Sequence, residues 1–277
     1  MKKFLVTTIS VLTLIACSTS PTGRKQVLLH SSSELDRMGS QSFEQMKAEQ
    51  AISTDKKVNA FVQCVADQIT PNVNSKVHSG DWEIVVFDSE QINAFALPGG
   101  KIGVYTGILN VTENADQLAA IIGHEVGHVI AQHSNERLSS NQLSQGVLVV
   151  AGVTMAAKDV DNKALILAGL GVGIQYGVLM PYGRAHETEA DIIGQDLMAE
   201  SGFNPKESVN LWKNMAKASG GSPPEFMSTH PSHKTRINTL TKHLSKTNPI
   251  YAASKQNSNC VKPVIPAPKA AKNLAKS

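Results

Sequence analysis

The sequence predicts a mainly helical α+β fold in which a small antiparallel β-sheet lies beside one apolar helix. Apolar residues recur at helical spacing along most of the chain, and short β-branched segments cluster between positions 82 and 106. The chain has 277 residues, 41% of them hydrophobic, which allows one large domain or two small ones with a sizeable core. A net charge of +3 without a basic, aromatic-interleaved stripe argues against a nucleic-acid partner.

Residues 1–16 are expected to be a lipoprotein signal peptide rather than part of the fold. A positive start and a short apolar stretch lead to Leu14-Ile15-Ala16-Cys17, which resembles the bacterial lipobox. In that pattern the thiol of Cys17 is acylated and Cys17 becomes the first residue. The alternative is an ordinary secretory signal with an incidental cysteine. The polar residues 17–33 are predicted to form a flexible tether.

Export from the cytoplasm would determine both where the protein is located and whether its remaining cysteines are oxidised. Ser18 follows Cys17, and a lipoprotein without Asp at that position usually goes to the outer membrane of a Gram-negative bacterium. We therefore expect a periplasmic chain, lipid-anchored to the inner leaflet of the outer membrane. Cys64 and Cys260 remain, and in an exported chain they suggest a disulfide, with two unpaired thiols as the alternative.

The remaining elements follow from periodicity and turn residues. One domain is expected over 34–250, followed by a disordered tail over 251–277. Strands are predicted at 82–88, 92–97 and 101–106. Helices are predicted at about 32–47, 56–69, 114–133, 142–157, 164–180, 184–201, 205–219 and 232–245.

Two of these predicted helices, 142–157 and 164–180, are apolar and rich in glycine. The second is shorter than the roughly 20 apolar residues that span a membrane. One interpretation is a pair of buried or lid-forming helices. The other is a hairpin that touches a membrane or forms a dimer.

The apolar helix predicted over 114–133 contains His124-Glu125-Val126-Gly127-His128, an H-E-x-x-H motif. Four residues along an α-helix bring both histidines to one face, where their ring nitrogens can converge on one zinc ion. Glu125 lies beside the first histidine and can act as general base toward a water on that ion. The motif also arises by chance, so its interpretation depends on a third ligand.

A second segment, His186-Glu187-Thr188-Glu189-Ala190-Asp191, supplies candidates for that ligand. On a helix, Glu187 can bind the zinc, and Asp191, one turn later, can hydrogen-bond a ligand histidine. A solvated acidic face is the alternative for this pattern alone. Glu189 is a rival ligand, but its offset of two residues points it about 200° away from Glu187, so only one can serve.

The two motifs in this order resemble one family. The pair H-E-x-x-H and E-x-x-A-D, with Arg184 before the second, is similar to the zinc metallopeptidase family of HtpX, the CaaX prenyl proteases and the Oma-type proteases, including the periplasmic lipoprotein branch of BepA and LoiP. Residues 93–107 resemble the strand-turn-strand that precedes this family's zinc helix. Residues 228–232, with Arg236 after them, resemble a third family segment. The resemblance covers roughly residues 58–244.

This resemblance implies a zincin-like metallopeptidase domain with one zinc ion per chain. It makes His124, His128 and Glu187 the zinc ligands and Glu125 the catalytic base. Asp191 would then hydrogen-bond one ligand histidine, which we expect to be His124.

Positions close to the zinc ligands are also expected for four further residues near the motifs. The resemblance places Arg184 behind the ligands, and His133 and His186 are expected there or at the surface. His230 matches a histidine that, in the BepA-like branch, can close the site as a fourth ligand. It could instead steady the oxyanion of the reaction, or be a structural histidine before Pro231.

The expected function is zinc-dependent hydrolysis of peptide bonds in misfolded or unassembled envelope proteins, a role in protein quality control. An extended substrate would pair with an edge strand, for which Asn93, Ala94, Phe95 and Ala96 are the candidates. The expected partners are unfolded proteins, the membrane and outer-membrane assembly machinery. One alternative is a non-catalytic periplasmic chaperone or assembly lipoprotein with a structural or latched zinc site. Another is a zinc hydrolase of cell-wall peptides.

Overall fold

The structure, a computed structural model, describes residues 17–158, 160–175, 179–218, 233–255 and 259–265. Within these ranges, five strands and eight helices confirm the mainly helical α+β fold. The strands are β1 (Cys17–Thr19), β2 (Lys25–Val27), β3 (Glu83–Phe87), β4 (Ala94–Leu97) and β5 (Lys101–Tyr105). The helices are α1 (Ser32–Glu49), α2 (Lys56–Ile69), α3 (Ala115–Ile130), α4 (His133–Ala157), α5 (Lys163–Ile174), α6 (Met180–Glu200), α7 (Lys206–Ala218) and α8 (His233–Ala253).

Polar side chains set the starts of the first three helices. Ser31 and Asp55 cap α1 and α2, and the side chain of Asn114 accepts the N–H of Gln117 at 2.9 Å to cap α3. The helix that carries H-E-x-x-H ends at Ile130, earlier than predicted. The next turn is left-handed, with a φ of 55° at Gln132, and α4 begins after it.

The larger sheet is mixed, with the strand order β3-β5-β4. β5 pairs antiparallel with β4 but parallel with β3, so the prediction of an antiparallel sheet is wrong for β3. The reason is the order of the strands. β4 and β5 form a hairpin through Gly99 and Gly100, both at positive φ, and the second strand of this hairpin, not the first, lies beside β3.

Helix α3 lies at the centre of the domain. It contacts β4 on one side and α2, α6 and α7 on others. Its side chains Leu118, Ile121, Ile122 and Val126 are all buried. Most residues of α3 are buried, and the cover comes from both the sheet and the other helices.

Two glycines allow α3 and α6 to cross at very short range. A Cβ atom on Gly123 would lie 2.8 Å from the carbonyl oxygen of Gly194, and one on Gly127 would lie 2.9 Å from that of Ala190. A side chain at either position would therefore collide with the backbone of α6. This crossing brings the Glu187 segment against the H-E-x-x-H motif.

Replacing Gly127 by alanine is expected to lower the free energy of unfolding by about 1–3 kcal/mol, because the backbone at Ala190 must move to admit the new methyl group. Urea denaturation measures the change. Gly146→Ala on α4 is the matched control, since a Cβ there meets open space and alanine is the better helix former. Equal stability of the two variants would contradict the close crossing.

The N-terminal segment 17–33 is ordered against the domain and does not form the predicted flexible tether. β1 and β2 pair antiparallel, with Cys17 opposite Val27. The buried Gln26 side chain donates to the carbonyl of Ala131 at 2.7 Å. The N–H of Leu29 donates to Oγ of Ser139 at 2.9 Å. These polar groups find partners more than one hundred positions away, which local composition does not reveal.

The apolar pair of helices is α4 and α5, and the interpretation of both as buried is wrong. The buried residues of α4 all lie in its first two turns, between His133 and Ser139. No residue of α5 is buried. Among the described residues, no helix is both long and apolar enough to cross a bilayer.

The C-terminal segment returns to the N-terminal half of the domain. The Sγ atoms of Cys64 on α2 and Cys260 lie 2.02 Å apart and their Cα atoms 5.6 Å apart, which is disulfide geometry. Cys260 is buried. The described residues 259–265 therefore lie against the fold, in contrast to the disordered tail expected over 251–277.

Candidate functional site

Helices α3 and α6 bring two imidazoles and one carboxylate together. The Nε2 atoms of His124 and His128 are 3.1 Å apart. Nε2 of His124 lies 3.4 Å from Oε2 of Glu187, and Nε2 of His128 lies 3.5 Å from its Oε1. One donor atom from each residue lies within 4.8 Å of the other two. We call these three residues the donor site.

The donor set has the composition of a catalytic zinc site. Two histidines and one glutamate are a known ligand set for zinc, and three protein ligands leave one position for water or substrate. His124 and Glu187 are buried, whereas His128 is partly exposed. The site therefore opens on the side of His128.

His124 is oriented by the acid predicted for that purpose. Its Nδ1 atom, which faces away from His128, lies 3.1 Å from Oδ1 of Asp191. Burial and the charge of Arg236 lower the pKa of His124, but hydrogen bonds to Asp191 and Glu187 outweigh them and raise it to about 9. A metal that binds at neutral pH must therefore displace a proton.

Arg236 on α8 is a site residue for which the sequence suggested no role. Its side chain is only 2% exposed, and its Nη1 lies 3.1 Å from Oε2 of Glu187. Its Nε donates to Asp191 at 2.7 Å, and its guanidinium stacks 3.7 Å from the ring centre of Trp212. A buried cation thus balances two buried carboxylates. The signal in the sequence was the position of Arg236 after residues 228–232, within the family resemblance.

One residue expected at the site, Arg184, is not placed there, and a second, His230, cannot be located. Arg184 is exposed on α6 and does not take the position behind the ligands, which Arg236 occupies instead. Arg184 precedes Glu187 by three residues, which is about 4.5 Å along the axis of α6. At that level α3 has already ended and no longer covers α6. His230 lies outside the described residues, so its role as a latch stays a prediction.

His133 links the second ligand histidine to Glu189. Its Nδ1 lies 2.8 Å from Nδ1 of His128, and its Nε2 lies 3.1 Å from Oε2 of Glu189. Burial lowers the pKa of His133 to about 4, against the opposing effect of Glu189. The neutral ring can donate from one nitrogen and accept at the other, so it can orient His128 from behind.

Glu189 points away from the donor site, as its two-residue offset from Glu187 predicts. Its Oε1 accepts from Oγ1 of Thr22 at 2.6 Å, and its Oε2 accepts from Nη2 of Arg24 at 2.9 Å. Arg24 also forms a two-pronged ion pair with Glu136, at 2.6 and 2.7 Å. Through Glu189, the N-terminal strand pair therefore reaches the histidine behind the second ligand.

Glu136 on α4 completes this buried charged cluster. It accepts from Nε2 of Gln26 at 2.9 Å and lies 3.0 Å from Nε2 of His186. Burial alone would raise the pKa of Glu136, but hydrogen bonds from His186, Arg24 and Gln26 outweigh it and lower the pKa to about 2. The carboxylate thus stays ionised and holds the N-terminal segment by charge.

The helix that carries Glu125 packs against the predicted substrate strand, β4. Glu125 is buried on α3, and β4 packs against that helix through the buried Ala94 and Ala96. Phe95 alternates to the other face, 6.1 Å from the ring of Phe43. In the part of the chain that the structure describes, β4 pairs only with β5, so its outer edge has no strand partner there. Asn93 precedes β4, and its carbonyl accepts the N–H of Tyr105.

One family model matches most of the chain. The model described as Peptidase family M48 matches residues 53–244, more than half of the chain, and this range contains the whole donor site. The chain belongs to peptidase family M48. This match confirms the zinc metallopeptidase family that the two motifs resemble.

Curated relatives of this M48 chain come from eukaryotes and bacteria. It is 36% identical over 181 residues to the mitochondrial metalloendopeptidase OMA1 of Schizosaccharomyces pombe, covering 65% of this chain and 50% of that protein. It is 34% identical over 206 residues to the OMA1 protein of Saccharomyces cerevisiae, covering 71% of this chain and 57% of that protein. It is 27% identical over 227 residues to the beta-barrel assembly-enhancing protease of Yersinia pestis, covering 79% of this chain and 46% of that protein. The chain therefore spans about half the length of the curated relatives it matches.

Proposed function

We propose that this M48 chain is a zinc-dependent endopeptidase. The donor site carries the proposal, since His124, His128 and Glu187 place three donor atoms within 4.8 Å of one another. A zinc ion held by these residues would supply Lewis-acid chemistry at the scissile carbonyl. Membership of a peptidase family supports the same conclusion.

The protein's own groups then have separate tasks. Glu125, buried beside the first ligand, takes a proton from the attacking water and delivers it to the leaving amine. Asp191 and Arg236 hold His124 from behind, and His133 holds His128. Fixing both imidazoles in this way keeps the Nε2 atoms directed at one point.

An extended peptide along β4 is the substrate geometry that the site supports best. The outer edge of β4 offers backbone N–H and carbonyl groups, and Asn93 to Ala96 would pair with the substrate backbone. Recognition through the backbone implies weak sequence preference and selection for unfolded chains.

A cavity of about 190 Å³ lies where β4 ends, next to the donor site. Leu35, Pro98, His128 and Val129 contribute to its lining. Ligand pockets for whole small molecules are larger, about 300–1,000 Å³, so this cavity suits a single side chain. A peptide on β4 would therefore insert one apolar side chain beside His128.

We also propose that the natural substrates are misfolded or unassembled envelope proteins. The lipobox-like segment ending at Cys17 supports a periplasmic chain anchored to the inner leaflet of the outer membrane. The pairing of Cys64 with Cys260 supports an oxidising compartment. One relative is named for enhancing β-barrel assembly, which supports the outer-membrane assembly machinery as a partner.

Metal removal tests the activity. A chelator is expected to strip zinc from the purified chain and abolish cleavage of unfolded casein, because the attacking water then lacks Lewis-acid activation. Zinc content and casein fragments are measured on the same samples, and added zinc is expected to restore both. Cleavage that persists in zinc-free protein contradicts the proposal, and so does a zinc-loaded chain that cleaves no unfolded substrate.

A further inference from the structure

We propose that helices α4 and α5 form a membrane-contact surface that rests in the lipid bilayer. This inference goes beyond proteolysis and rests only on the lipid-anchor part of the proposed function. Most of the large apolar side chains that are exposed in the described residues lie on this pair. Val150, Val153 and Leu165 are 66%, 66% and 74% exposed. An exposed apolar surface of this extent marks an interaction site.

The composition of the pair fits a lipid surface. Between positions 138 and 183 the sequence has only four charged residues, Lys158, Asp159, Asp161 and Lys163. Within the structure as described, α5 has no buried residue although it is apolar around its circumference. Such a helix is normally covered by protein or by lipid.

The breadth and length of the apolar surface favour a shallow position in the bilayer. On α4, Leu143, Val147 and Val150 share one face, and Val149 and Val153 extend it to the adjoining one. A partner helix would cover a narrower seam, whereas acyl chains cover a broad surface without shape matching. α5 has 12 residues and a length of about 18 Å, short of the roughly 30 Å hydrocarbon core, so the pair lies along the interface.

The position of the N-terminal segment decides in favour of the bilayer over a second copy of the chain. Cys17 pairs with Val27, and Leu29 donates to Ser139 in the second turn of α4. Cys17 therefore lies within about 12 Å of Leu29, given one inter-strand spacing and two residues of extended chain. The exposed surface begins at Leu143, one turn after Ser139. An acyl chain on Cys17 thus enters the bilayer beside the base of this surface.

A bilayer contact at this place would also set the position of the donor site. α4 begins shortly after His128, and α6, which carries Glu187, follows α5. The two ligand-bearing segments therefore flank the membrane-contact surface in the chain. Chains that emerge or fail to fold at the membrane would be within reach of the site.

The test uses the full-length lipidated protein in vesicles of phosphatidylethanolamine and phosphatidylglycerol with brominated acyl chains. A Leu165→Trp variant is expected to show a blue-shifted emission and strong quenching by the bromine, above the background from Trp82 and Trp212. Lys57→Trp, at an exposed position on α2, is the matched control and is expected to be quenched no more than wild type.

Emission from Leu165→Trp that is unshifted and unquenched overturns the proposal. A blue shift without bromine quenching that grows with protein density assigns the surface to a second copy and also overturns it. Mass spectrometry of the N-terminus reports acylation of Cys17 separately. Casein cleavage by the same samples reports the proposed peptidase activity, so failure of one proposal is distinguishable from failure of the other.

Discussion

Replacing Glu125 by glutamine is expected to lower kcat for casein cleavage about 10²- to 10⁴-fold, the contribution typical of a general acid–base group. The amide has nearly the shape of the carboxylate but cannot take a proton from water. The zinc content should remain at the wild-type level, because the donor atoms belong to His124, His128 and Glu187.

Zinc content and initial cleavage rates are measured on the same preparations of both proteins. Glu49→Gln, an exposed change on α1, serves as the control for the loss of one negative charge and should leave both values unaltered. Full cleavage by the Glu125→Gln chain would require another base. Loss of zinc together with activity would give Glu125 a structural role instead.

Replacing Arg236 by methionine is expected to reduce the free energy of unfolding of the zinc-free protein by about 3–5 kcal/mol. Arg236 is 2% exposed and lies between the carboxylates of Glu187 and Asp191. Without it, these two buried negative charges keep only the protonated His124 beside them. Methionine retains an apolar side chain against Trp212, so the loss reports charge more than packing.

Urea denaturation in zinc-free buffer measures this difference, with Lys242→Met on the exposed side of α8 as the control. Added zinc is expected to recover part of the stability, since a cation at the donor site again balances Glu187. A loss no larger than that of an exposed ion pair, about 1 kcal/mol, would contradict the role of Arg236 as the buried counter-ion.

Local sequence signals predicted the helices well because their causes are local. α2 spans Lys56–Ile69, as expected, since Asp55 caps its start and Pro71 limits its end. The same logic placed both histidines of the donor site on one helical face. Glu187 and the opposite direction of Glu189 also followed from helical rotation.

Features that depend on the meeting of distant segments were not predictable in this way. The residues next to Arg236 in sequence do not indicate that its side chain is buried. Its partners become apparent only when α8 packs on α6. The parallel pairing of β3 with β5 depends on which strand of the hairpin lies inward. Residues 17–33 are polar because they bind buried acids on α4 and α6, yet polar composition alone indicates a tether.

The ion pair between Arg24 and Glu189 joins residues 165 positions apart, and this has a consequence for the order of assembly. The N-terminal strand pair is synthesised well before its partners on α6. Closing so long a loop is slow compared with local helix formation. We expect β1 and β2 to dock last, which would leave Cys17 accessible for the proposed acylation until the helices have assembled.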